Sequence, residues 1–202
     1  MSKRNKIIET ELLGITQVAA NAQQLSSVLD LSDNLKNIVA IFIDHGRTAT
    51  TAFVGAGTEY RVEASQKASG NDAWIPIATR VCGIAAASEI TADGNEAAGE
   101  SVIDIGATTP VVNDVLFWEN ATIANSEWIK VTAIAAGVSF TCQNGLTNAQ
   151  TAAKKIYNKG ERFAFLLDCT AYTRLRVVVN NNNGSTNVAI DCRVAAITSQ
   201  EL

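Results

Sequence analysis

The sequence predicts an all-β chain, an antiparallel β-sandwich interrupted by a small inserted β-barrel and preceded by an N-terminal arm. Three observations predict it. Apolar and polar residues alternate with period two over short runs, as half-buried strands require. Gly, Asn, Asp and Ser punctuate those runs. The rhythm changes to four or five shorter strands between residues 99 and 158 and then returns, which marks an insertion whose ends lie close together on a surface loop.

Taken in order, residues 1–30 are rich in Ala, Gln and Ser with widely spaced apolar residues. They read as an arm reaching a neighbouring subunit by strand addition, or as a first strand behind a frayed tail, with a short helix over Gln17–Leu29 as a further option. Ile38–Ile43 is apolar at every position, the pattern of a strand buried on both faces. Glu59–Ser65 alternates, placing Tyr60, Val62 and Ala64 inward and Glu59, Arg61 and Glu63 outward. Pro76 confines the strand Ala73–Thr79 to an edge or a strand end. Residues 85–99 read as a linker.

Within the insert, strands are expected at Ser101–Ile105, Asp114–Trp118, Ser126–Ile134 and Val138–Cys142, closed by Lys154–Tyr157. That number is enough for a small SH3-like barrel. The sandwich, residues 31–98 and 159–202, resumes at Glu161–Asp168. In the last pair, Arg174–Val179 and Val188–Val194, Leu175, Val177 and Val179 share one face, as do Val188, Ile190, Cys192 and Val194. Pairing Val179 with Val188 across Asn180–Asn187 makes a hairpin with Arg176 opposite Asp191.

Bulk properties narrow the function. A net charge of -4 argues against a protein built to neutralise nucleic-acid phosphates, leaving only Lys3, Arg4 and Lys6 as a minor basic cluster. The longest apolar runs fall far short of the roughly 20 residues of a membrane helix. The first residues lack the apolar core of a secretory signal. Cys82, Cys142, Cys169 and Cys192 form no C-x-x-C pair and read as buried thiols, with a Cys169–Cys192 disulfide as the alternative after release from the cell.

Catalytic and cofactor signatures are missing from the sequence. His45, the single histidine, lies beside Asp44 and Arg47 without a nucleophile context and reads as a loop residue. One histidine and scattered cysteines cannot make a usual zinc site. Asp168 and Asp191, imagined as a carboxylate pair, fit better as outward acids of alternating strands. No phosphate-binding glycine motif stands at a strand-to-helix turn. Trp74, Trp118 and Trp128 raise the question of sugar stacking. Trp118 and Trp128 are the candidate ligand or partner contacts, set against their use as the core of a small barrel.

Three stretches carry a resemblance: Glu59–Trp74, Asn113–Trp128 and Arg174–Gly184. From about residue 25 onward the chain resembles virion structural proteins of tailed bacteriophages, among them capsid decoration or cement proteins. The resemblance implies a jelly-roll-like sandwich with a loop-inserted barrel and an N-terminal arm. It also implies a non-enzymatic subunit, assembled in the host cytoplasm, that binds the major capsid protein and neighbouring copies of itself on the virion surface. It brings no catalytic residue, cofactor or metal. The other readings are a tail, neck or baseplate component and a carbohydrate-binding β-sandwich module.

Overall fold

Alternation of buried and exposed side chains gives each sheet one dry face and one wet face, and it runs through most of this molecule. The computed structural model describes residues 4–32, 36–50, 57–70, 73–83 and 85–200. Among these are fourteen strands, one 3-10 turn and no α-helix.

Two sheets enclose the main core. The first carries β1 (Arg4–Val18), β14 (Val188–Gln200), β4 (Lys36–Arg47) and β12 (Ile156–Asp168) in that spatial order. The second carries β2 (Gln23–Leu25), β13 (Arg174–Asn181), β5 (Thr58–Ser65) and β6 (Ile75–Cys82), with the short β3 (Leu29–Asp30) also on β13. Counting β2 and the short β3 as one interrupted strand along β13, successive sandwich strands other than the β5–β6 neighbours cross from one sheet to the other, which is the winding of an eight-stranded jelly roll. Val39, Ile41 and Ile43 face Tyr60, Val62, Ala64, Leu175, Val177 and Val179 across the core, and all are buried.

The predicted inward faces of β5, β13 and β14 are therefore correct, but the predicted hairpin does not form. β13 pairs with β5 and β14 with β4, so Val179 lies opposite Tyr60, and Val188 opposite Arg47. Arg176 meets Glu63 rather than Asp191. The reason is geometric: two strands facing one core from opposite sheets show the same alternation as two neighbours in one sheet. The segment between them has only to cross the roughly 10 Å that separates packed sheets.

The amino-terminal segment is also a sandwich element. Residues 4–18 pair with β14, which takes the first-strand option over the arm, and residues 17–29 hold no helix. Lys3 lies outside the described residues. Ile38–Ile43 is buried on one face only, since Ile38 and Phe42 are exposed on the other. The expected linker contains β7 (Glu89–Ala92).

A second core gathers Ile90, Ile103, Leu116, Trp118, Ile129, Phe140 and Ile156. Around it β12 pairs with β7, followed by β8 (Val102–Ala107), β11 (Ser139–Cys142), β10 (Glu127–Ala135) and β9 (Val115–Trp118), which returns to β12. Ile156 and Tyr157 of the predicted Lys154–Tyr157 strand and the whole of Glu161–Asp168, read separately from the sequence, belong to one thirteen-residue strand, with Lys154 and Lys155 before it. Its first part serves the second unit and its last part the first sheet. Gly160 sits at the changeover, where a Cβ would lie 2.9 Å from the Val115 carbonyl oxygen and 3.2 Å from that of His45.

Candidate interaction surface

The residues singled out for chemistry are spent on structure. The His45 ring is buried, with Nδ1 2.7 Å from the Tyr60 hydroxyl, and burial lowers its pKa to about 4. It lies within β4 rather than in a loop. Arg47, also buried, donates to the carbonyls of Gly83 and Ala85, pinning the chain where it leaves β6. All four cysteines are free and buried. Among the described residues no group of three His, Cys, Asp or Glu side chains could hold a metal ion.

The two candidate contact residues are both core. Trp118 is 0% exposed and points into the second core, while Trp128 is 8% exposed and packs against Phe117, ring centroids 4.9 Å apart. Phe117, Trp128, Ala189 and Ile15 form the joint between the second unit and the outer face of the first sheet. The run Val115–Trp118 is apolar at every position because β9 is buried on both sides, a signal legible in the sequence. Trp74 packs under two guanidinium groups, Arg174 at 4.8 Å and Arg176 at 4.3 Å from its ring centre.

Asp168 and Asp191 are not a pair. Asp168 is exposed beside Ile38, and its Oδ1 accepts from Thr170. Asp191 is buried directly opposite Asp44 rather than an arginine, with Arg193 Nη2 2.7 Å from its Oδ2. Burial raises the pKa of both Asp44 and Asp191. Arg162 and Arg193 oppose the shift respectively, and Asp191 adds to it at Asp44. Arg162 completes the row through Asp44 Oδ1 at 3.0 Å and the Trp128 carbonyl at 2.8 Å.

The outer faces of the two sheets differ in kind. On the second sheet Glu59, Arg61, Glu63 and Arg176 satisfy one another through contacts of 2.6–3.2 Å. On the first sheet, beyond the Asp44–Arg162 row, lie Phe42 at 51% exposure and Leu166 at 75%, with Ala40 and Ala164 between them. A shallow concavity of about 860 Å³ runs from Glu11 and Arg193 across Phe42 to Arg162. A second apolar group, Val111, Val112, Ile134 and Val138, is exposed at one end of the second unit. Gly137 N–H donating to Thr109 and Asn113 N–H donating to the Val131 carbonyl hold that end together. Sequence reasoning missed both groups, because alternation identifies an outward residue without telling whether it is covered.

These features define an all-β sandwich bearing a second β unit and exposed apolar groups on its outer surfaces. No protein-family model and no curated protein matches the chain. Among solved structures, VP17, a capsid protein of bacteriophage P23-77, aligns with 98% of this chain and 99% of its own at 8% identity and a TM-score of 0.21. That is a weak structural likeness to a phage capsid protein.

Proposed function

We propose that this chain is a non-enzymatic virion structural protein that decorates or cements a capsid by binding the major capsid protein. The observation that carries the reading is the apolar end of the second unit, where Val111 is 64% and Val138 60% exposed. Large apolar side chains grouped on a surface mark a docking site. Phe117 and Trp128 seat the unit that carries them on the first sheet. A contact that is weak per copy sums to strong reinforcement when a lattice repeats it.

Quantitative mass spectrometry of purified particles, with copies counted per major capsid subunit, tests the proposal. The expected result is a fixed high ratio that Val111→Asp and Val138→Asp variants lower, together with particles that break at lower temperature without the protein. A few copies per particle would move it to the tail, neck or baseplate, and absence from particles would overturn it.

A further inference from the structure

We infer that two copies of this chain associate through the outer edge of β12, residues 162–168, joining their first sheets into one continuous antiparallel sheet. The edge is open: β4 pairs with one side of Glu161–Asp168, and among the described residues no backbone group pairs with the other. Monomeric sheets protect such edges with bulges, prolines, charges or short length. The other three sandwich edges do so here. β1 carries two register shifts against β14, β2 is three residues long, and β6 carries Pro76, Arg80 and a register shift against β5. From Phe163 to Leu167 β12 reads Phe-Ala-Phe-Leu-Leu, with no charge, proline or bulge.

What identifies the partner is that this edge is complementary to itself. Antiparallel pairing about Phe165 sets Arg162 opposite Asp168 of the second copy and Ala164 opposite its Leu166, and repeats both contacts by symmetry. Opposite charges and apolar pairs in facing positions favour a ladder, and a two-fold contact requires such self-complementarity. The groups are available. Arg162 engages Asp44 and the Trp128 carbonyl through Nε and Nη2, leaving Nη1, while Asp168 keeps Oδ2 outside its turn to Thr170. On the core side, Phe163, Phe165 and Leu167 are only half-buried, as expected of a row whose flank is missing a neighbour. Leu166 has the highest exposure of the large apolar side chains described. This deepens the adhesion reading by naming a self-contact, yet it does not depend on the virion assignment.

Sedimentation of the purified full chain tests it. Edge contacts of this size dissociate in the micromolar range, so a dimer is expected at about 100 μM. Asp168→Arg, which sets two guanidinium groups face to face at both symmetric positions, should weaken association about tenfold or more. Leu166→Glu, at a largely exposed side chain, should do the same, with unchanged near-UV circular dichroism showing that each variant folds. Register is tested by oxidising mixed Ala164→Cys and Leu166→Cys chains. Directly opposed positions are close enough for a disulfide and diagonal ones are not, so the mixture should cross-link and each variant alone should not. A wild-type monomer, a dimer indifferent to both charge variants, or cross-links formed equally well by single variants would each overturn the inference. None of these outcomes bears on copy number in particles, so the two proposals fail separately.

Discussion

The ring of Phe117 occupies the space that any side chain at Gly46 would need. A Cβ on Gly46 would lie 2.6 Å from Phe117 Cγ and 2.8 Å from Cδ2. The absence of a side chain on the first sheet is thus what lets the second unit dock on it. Gly46→Ala is expected to destabilise the protein by about 1–3 kcal/mol through overpacking, measured as a lower urea midpoint. Phe117→Leu should relieve part of that cost, so the two changes should be non-additive in a double-mutant cycle.

The buried His45 predicts acid sensitivity. The unfolded chain binds a proton on this ring near the ordinary pH 6.5, and the folded chain only near about 4. Unfolding therefore takes up a proton between those values, and stability falls as pH is lowered through the window, by up to about 3 kcal/mol. His45→Gln should flatten this dependence in urea titrations between pH 7 and pH 4.

Asp191 runs the other way. Its folded pKa is raised, chiefly by burial, so its cost is present at neutral pH and is relieved as pH falls through that raised value. Asp191→Asn should be neutral or stabilising by about 1 kcal/mol at pH 7, because it removes a buried charge facing Asp44 while the Arg193 partner remains solvated. The difference from wild type should vanish near pH 3, and clear destabilisation at pH 7 would show that the ion pair outweighs burial.

The thiols should be inert in the folded state. Burial pushes Cys82, Cys142 and Cys192 up to about 12 and Cys169 to about 11, which leaves little thiolate to react. Ellman's reagent at pH 8 should label none in native protein and all four in denaturant.

How far the fold was legible in the sequence follows from what alternation encodes. It assigned Tyr60, Val62, Ala64, Val177, Val179 and Ile190 to the core correctly. It could not tell that Val179 and Val188 lie in different sheets, because a side chain's inward direction carries no information about its lateral neighbour. The placement of β9 was legible in its unbroken apolar run. Its seat on Gly46 was not, since that contact joins positions seventy-one residues apart. The exposed Phe42 and Leu166 were unreadable for a related reason: Ile38–Ile43 looks uniformly apolar whether its second face is covered inside the chain or left to a partner.

Sharing β12 between two cores fixes how the molecule can respond to load. β12 runs from one core into the other without an intervening loop, so a pull on the second unit reaches Gly160 along a continuous backbone and enters the large sheet as shear on the β12–β4 ladder. Shear loads many hydrogen bonds at once instead of peeling them one by one. The appendage should behave as a stiff bracket rather than a swinging flap.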